Sequence, residues 1–380
     1  MLKLQSWLRH SRHLFLRAPM MQMSVKRSTL PGHKPPQEAL RDLGYGFNSN
    51  GELKKLIDGV PGDEPFQFNV SDLHQECQVH YEEVGMAVTD YVYHLLETQE
   101  DMMRLQVPKD TVPATGTFIF ATKEYDKKDT IVVLIHGSGA VRAGQWARSS
   151  IGVNHHHHPT QPIYVPLLGT GLLSEQESLG HSSHAGPVRI GNFTRTIELL
   201  RRLIINENID MGTQIPYIQR AVAAGFGVVV MNTNDNYRIS GNKIAKSGSP
   251  DEHAQYVWDK YIAKTKATSI LIVAHSYGGV VTMDLAMKNK ADFKKRVKAI
   301  ALTDSVHGFS SKSIMDYVRQ NAKNWISSNE PLDTPMPTQK QEIPMVSAGR
   351  CYAWGPKSER KASNLVEKLR WRGLDIQNMR

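Results

Sequence analysis

The sequence predicts an α/β protein built on a doubly wound, mostly parallel sheet. Three observations carry that expectation. Several short runs are apolar at every position, as at 131–135 and 270–274, and a strand of that kind must be covered on both faces. Segments with helical spacing alternate with those runs, the order that produces parallel βαβ units. One apolar run ends in His-Ser-Tyr-Gly-Gly at 275–279 and passes directly into a further helical pattern through Val280, Val281, Met283, Leu285, Ala286 and Met287.

The elements follow in chain order. Residues 1–37 carry Lys3, Arg9, Arg12, Arg17, Lys26, Arg27 and Lys34, with no acidic residue before Glu38. They are expected to form a disordered basic tail, in a pattern that also suits a mitochondrial presequence or a nucleic-acid-binding arm. The apolar run at Leu14, Phe15 and Leu16 is too short for a secretory signal. From Phe47 to Phe68 the chain reads as a hairpin-like element with turns at Ser49-Asn50-Gly51 and Pro61-Gly62-Asp63. A helix is expected from Leu73 to Leu96, because Val84, Val88, Tyr91, Val92 and Leu95 recur at three and four residues, with Gly85 interrupting the pattern. Strands are expected at Thr117–Ala121, Ile131–Ile135, Phe226–Met231, Ile270–Ala274, Val297–Leu302 and Ile343–Ser347. The helix before the fourth strand has Ser249 as N-cap, Pro250 as its first residue, Glu252 as the capping partner, and a buried stripe of Ala254, Val257, Trp258, Tyr261 and Ile262. These elements make residues 38–350 one α/β domain.

Two stretches stand apart. Residues 149–201 contain four consecutive histidines, His155 to His158, among many Gly, Ser and Pro residues without periodicity. They read as a long inserted loop. Neighbouring histidines in one tract do not converge on a tetrahedral centre, so no specific metal site is expected. Residues 351–380 read as a basic C-terminal tail.

Composition bounds the function. A 380-residue chain with 40% hydrophobic content can bury one substantial core. Only Cys77 and Cys351 are present, which excludes a disulfide framework and favours an intracellular site. The Asn-x-Ser/Thr triplets at Asn69 and Asn192 therefore carry little weight. No run approaches the roughly 18 apolar residues of a membrane span. The net charge of +9 comes without a recognisable nucleic-acid-reading motif.

The chemistry concentrates at Ser276. A serine held in a sharp turn between strand and helix needs small neighbours two residues to either side, because the two backbones nearly touch. Ala274 and Gly278 fill those places, and the following helix directs its positive N-terminus at the serine. This is a nucleophile elbow, and it makes the expected fold α/β-hydrolase-like. After the strand Ile131–Ile135 comes His136-Gly137-Ser138-Gly139. Backbone N–H groups of Gly137, Ser138 and Gly139, together with that of Tyr277, are candidates to hold an oxyanion. Asp304 lies just past the strand Val297–Leu302 and is the candidate acid. His307 is the candidate base, in an atypical position, since no histidine follows it in the chain. His275 is expected to serve packing. No cofactor is implied.

Beyond the elbow, the blocks Val-Leu-Ile-His-Gly-Ser-Gly (133–139), Arg-Ala-Gly-Gln-Trp-Ala-Arg (142–148), Leu-Ile-Ile-Asn-Glu (203–207), Gly-Thr-Gln-Ile-Pro (212–216), Val-Ala-His-Ser-Tyr-Gly-Gly (273–279) and Ala-Leu-Thr-Asp-Ser-Val-His (301–307) resemble the Argonaute-binding-protein-two domain family. The likeness spans roughly residues 40–350 and is nearest to the vertebrate cotranscriptional regulators. It implies an α/β-hydrolase fold with Ser276 at the family's nucleophile position. It also implies an Argonaute protein, chromatin-associated proteins and splicing factors as partners, a role in alternative splicing and gene silencing, and a place in nucleus and cytoplasm. The basic N-terminus leaves a mitochondrial or endoplasmic-reticulum address as the alternative.

Three departures qualify the resemblance. Residues 149–201 look inserted after the oxyanion loop, and the linker before the elbow helix is shortened to Arg238–Ser249. After Val346-Ser347-Ala348-Gly349, where the family has a histidine-containing segment, this chain reads Arg350-Cys351-Tyr352-Ala353-Trp354. The usual base is missing. The expected function is therefore a hydrolase-fold adaptor in cotranscriptional regulation, and the alternative is a serine hydrolase that cleaves a small ester, thioester or amide through Ser276.

Overall fold

The computed structural model describes residues 34–146, 203–238, 240–307, 312–338 and 342–349. The whole of the expected insertion at 149–201, the histidine run included, and the C-terminal tail lie outside the described residues, as do residues 1–33.

Helix α1 (Pro36–Asp42) opens the described chain, two residues ahead of the expected domain boundary. A small antiparallel sheet follows, formed by β1 (Tyr45–Phe47), β2 (Leu53–Ile57) and β3 (Val60–Pro65). The tight turn between β2 and β3 falls at Asp58 and Gly59, with φ 51° and 78°. It does not fall at Pro61-Gly62-Asp63, which lies within β3. A two-residue hairpin requires positive φ at both central positions, and Asp-Gly supplies them where Pro-Gly cannot. Helix α2 (His74–Thr98) runs slightly past the expected range and buries Val84, Val88, Val92, Leu95 and Leu96.

The main sheet has eight strands: β4 (Met102–Val107), β5 (Thr117–Thr122), β6 (Thr130–Ile135), β7 (Gly227–Val230), β8 (Ser269–His275), β9 (Val297–Thr303), β10 (Ala322–Ile326) and β11 (Met345–Ser347). Their spatial order is β4-β5-β7-β6-β8-β9-β10-β11. Strand β5 is antiparallel to both of its neighbours, and β7, β6, β8, β9, β10 and β11 pair in parallel. Counted along the chain this is the order 1-2-4-3-5-6-7-8 with the second strand reversed, an α/β-hydrolase-like sheet. The sequence reading found β5 to β9 and β11. It lacked β4 and β10, whose exposed or polar residues (Arg104 and Gln106; Lys323 and Asn324) hide the apolar signal.

The helices cover both faces. Between β6 and β7 lie α3 (Leu203–Asn206), α4 (Ile209–Gly212) and α5 (Ile215–Ala223); beyond β7 come α6 (Pro250–Val257), α7 (Gly278–Lys288), α8 (Lys290–Arg296) and α9 (Lys312–Asn321). Alternation along the strands feeds two cores. Val132, Leu134, Leu271 and Val273 join α2 and α5 on one side. Ile131, Val133, Ile135, Ile270, Ile272 and Ala274 join α6, α7 and α8 on the other. Burial on both faces explains why the strands read as uninterrupted apolar runs.

At the start of α6, Ser249 Oγ accepts from Glu252 N at 3.1 Å. The return bond goes from Gly248 N to Glu252 Oε2 at 3.0 Å rather than from Ser249. The stripe Ala254, Val257, Trp258, Tyr261 and Ile262 is buried as expected, although Trp258–Ile262 continues as a π-helical turn.

Among the described residues no helix is long and apolar enough to cross a membrane. Strands β6 and β8 are neighbours, yet the chain leaves β6 toward β7 and leaves β8 toward β9. Ligands of open α/β sheets bind beyond the carboxyl ends of such a diverging pair. Both Ser276 and the loop at 136–139 lie there.

Candidate functional site

The turn after β8 has the form of the expected elbow. Ser276 sits at φ 51°, in the left-handed region, which costs a non-glycine residue about 1–3 kcal/mol when surroundings enforce it. Here they do. Ser276 N donates to Thr303 O at 3.0 Å, and Ser276 O accepts from Gly279 N at 3.1 Å and Val306 N at 3.2 Å.

Two glycines make the close approach possible. A Cβ on Gly278 would lie 2.7 Å from Ile135 O and 3.0 Å from His136 O, so α7 starts nearly in contact with the end of β6. A Cβ on Gly279 would lie 1.7 Å from Ser305 Oγ. The sequence assigned no separate role to Gly279; its partner is distant in the chain, and no local pattern signals the contact. Tyr277 is the first residue of the turn into α7, with φ −62° and ψ −21°.

The glycine-rich loop reaches the same place. A Cβ on Gly137 would lie 3.0 Å from Ser276 Cβ and 3.3 Å from His275 O, and Gly139 has φ 105°. Thus Gly137 passes directly beside the serine, and Ser138 and Gly139 follow it in the loop. The loop is held by Asn234, whose Nδ2 donates to Gly137 O at 2.8 Å, Gly139 O at 3.2 Å and Val141 O at 3.1 Å. Asn232 Oδ1 adds a bond from Ala143 N at 3.0 Å. Neither asparagine was singled out from sequence. The available signal was the polar run Asn232-Thr233-Asn234-Asp235-Asn236 immediately after a buried strand.

Histidines behind the loop are structural. His136 is 1% exposed, its Nδ1 lies 2.8 Å from Gly137 O, and burial pushes its pKa down to about 4. His253 bonds Asn232 N at 3.2 Å and Ser247 Oγ at 2.9 Å, and burial pushes its pKa down to about 3. Both are neutral at physiological pH. His275 Nδ1 meets Thr303 Oγ1 at 2.9 Å and its ring lies edge-on to Trp146.

The acid and base candidates share this edge of the sheet but are otherwise engaged. Asp304 follows β9 with φ 43°, donates its N–H to Trp325 O at 2.8 Å, and accepts from Ser327 N at 2.7 Å through Oδ1. His307 Nδ1 bonds Ser305 Oγ at 2.9 Å, and Ser305 N donates to Asn324 Oδ1 at 3.2 Å. Burial lowers the pKa of His307, against a smaller raising effect from Glu342. Ser305 thus stands between the histidine and the elbow. Among the described residues no histidine nitrogen hydrogen-bonds Ser276 Oγ. The arrangement presents a half-buried serine, a helix N-terminus and a glycine loop side by side, with no proton relay assembled among the described residues. Among the described residues no group of three or more His, Cys, Asp or Glu side chains is placed to hold a metal ion.

With that geometry established, three comparisons place the chain among known proteins. The sequence profile of the Arb2 domain matches residues 36–158 and 236–332. The cotranscriptional regulator ARB2A of Homo sapiens is 34% identical over 370 residues, covering 82% of this chain and 75% of that protein. Its Gallus gallus homolog is 33% identical over 377 residues, covering 83% and 77%. Among solved structures, a histone deacetylase from Saccharomyces cerevisiae aligns with a TM-score of 0.42 at 12% identity, covering 78% of this chain and 97% of that one.

Proposed function

We propose, from the premise that this chain belongs to the Arb2 domain family, that it acts in cotranscriptional regulation as a hydrolase-fold adaptor. The observation that carries this reading is the bond between His307 Nδ1 and Ser305 Oγ: the candidate base engages a neighbouring serine, and among the described residues no histidine nitrogen hydrogen-bonds Ser276 Oγ. A serine without a general base loses most of a triad's rate enhancement. The elbow then works as architecture. It fixes the junction of β6, β8 and α7 and shapes a preformed surface at the carboxyl ends of the strands.

Argonaute is the partner this reading names, with chromatin-associated proteins and splicing factors as the wider setting and the nucleus and cytoplasm as its compartments. Support comes from the family membership and from relatives named as cotranscriptional regulators. The test is affinity purification of the wild-type chain and of Ser276→Ala from nuclear extract. Argonaute is expected with both, because surface contacts rather than the hydroxyl hold it. Absence of Argonaute from the wild-type sample rejects the adaptor reading, and loss only in a folded Ser276→Ala variant transfers recognition to the site itself.

A second reading, hydrolysis of a small ester, thioester or amide, is favoured by one specific observation. Ser276 is kept at positive φ with Gly137 packed against it, the geometry an acyl-transfer nucleophile and its oxyanion hole require. Labelling by a fluorophosphonate probe that disappears in Ser276→Ala identifies Ser276 as the reactive group. Labelling that persists in that variant removes the residue from consideration.

A further inference from the structure

We infer that the amino-terminal edge of the main sheet, opposite the Ser276 site, is a docking surface for the phosphate backbone of nucleic acid. Three connections meet there. The segment before β8 carries Lys260, Lys264 and Lys266; α8 and the start of β9 carry Lys294, Lys295 and Lys298. All six are exposed, and among the described residues none has an ion pair.

Backbone and buried contacts hold the segments together. Strands β8 and β9 pair from Ile270 and Val297 onward. Arg296 is inserted between the two lysine groups, its Nη1 donating to Ile262 O, Thr265 Oγ1 and Ala267 O at 3.3–3.4 Å. Lys266 N donates to Asp126 O at 2.9 Å, and Thr268 N to Asp129 O at 2.9 Å, which brings the turn before β6 alongside. Of the acidic groups nearby, Asp292 is neutralised by Arg296 at 2.5 Å. Asp126 and Asp129 on the adjoining turn, and Asp259 beside Lys260, are exposed carboxylates on the same face, and the six lysines outnumber them. The result is a fixed positive face rather than a solvated run on one helix.

Its chemistry selects the partner. A membrane surface or an acidic protein would be gripped by apolar or aromatic anchors as well as charge. Among the described residues the exposed large apolar side chains are Ile57, Val60, Val70, Leu73, Val79, Val112 and Val222, and none belongs to these segments. Lysines alone, without an aromatic residue for base stacking, suit a polyphosphate backbone bound as point charges. Such a surface holds nucleic acid without reading its sequence. It stands apart from the Ser276 site and does not depend on the adaptor reading.

The test uses the full chain, a 20-nucleotide oligouridylate and a 20-base-pair DNA duplex, with affinity followed by fluorescence anisotropy across a salt series. Lys264, Lys266, Lys294 and Lys295 are replaced together by Gln, and a second variant replaces all four by Arg. A chain with Arg9, Arg12 and Arg17 changed to Gln controls for the basic N-terminus. For single strands each lost phosphate contact lowers the slope of log K against log salt by about 0.7, so the Gln variant is expected to lose about 3 from the slope. The Arg variant is expected to retain it, and comparison of the two probes assigns the surface to RNA or to duplex DNA. An unchanged slope in the Gln variant, a slope lost only in the N-terminal control, or capture by phosphatidylserine vesicles with neither nucleic acid bound would each overturn the inference.

Discussion

Ser276 holds a backbone conformation that its own side chain disfavours, and the bonds from Gly279 N and Val306 N keep it there. Replacing it by glycine relieves the strain at the loss only of the small side chain packed beside Gly137, so Ser276→Gly should raise stability by about 1 kcal/mol. Urea unfolding measures this, and a lower midpoint would show that the hydroxyl contributes more than the strain costs. Gly279→Ala should act in the opposite sense, with a loss of about 2 kcal/mol or more, because Ser305 Oγ occupies the space. The buried histidines set a pH dependence. His136 and His253 titrate near 4 and 3 in the fold, against 6.5 for a free imidazole. Between about pH 6.5 and 4 the unfolded chain binds protons that the folded chain does not, so stability falls as pH falls, by up to about 1.4 kcal/mol per unit for each group. Unfolding curves at pH 7 and pH 5 check the sign, and His253→Gln should flatten the dependence. A pH-independent midpoint in the wild type would mean that neither imidazole is held neutral.

The loop at 136–141 is an element made by one distant side chain. Asn234→Ala removes a donor from three carbonyls at once, and leaving buried carbonyls without partners costs about 1–3 kcal/mol. Amide hydrogen exchange at residues 137–141 should accelerate well beyond that of β6, and unchanged protection there would assign the loop's order to other contacts. The same loop shows where sequence reading stops. Its glycines and its place after an apolar strand are local facts, legible in His136-Gly137-Ser138-Gly139. The asparagine that secures it arrives from beyond β7. Elements failed for comparable reasons: β10 contains Lys323 and the buried Asn324, whose Oδ1 serves Ser305 N, so a polar residue occupies a core position for a reason that lies in another segment. The turn at Asp58-Gly59 was missed because Pro61-Gly62 is the louder local signal, although only the former meets the dihedral requirement.

At the scale of the whole molecule, uninterrupted apolar runs made the parallel sheet legible, while strand order and direction were not. Thr117–Thr122 is as fully buried as the strands of the parallel block, yet it runs antiparallel to both of its neighbours. The nucleophile and oxyanion segments could be read because each is confined to a few residues, whereas a relay depends on how β9, β10 and β11 end relative to one another. That assembly places Asp304 on Ser327 N and His307 on Ser305 Oγ, and it is the basis for reading the molecule as an adaptor on a hydrolase-like frame. Turnover of a simple activated ester by the purified chain tests this most directly. The account predicts a rate at least about 10³-fold below that of an intact triad enzyme, with no further loss in His307→Ala. Turnover at the level of an intact triad enzyme that vanishes in Ser276→Ala would contradict it.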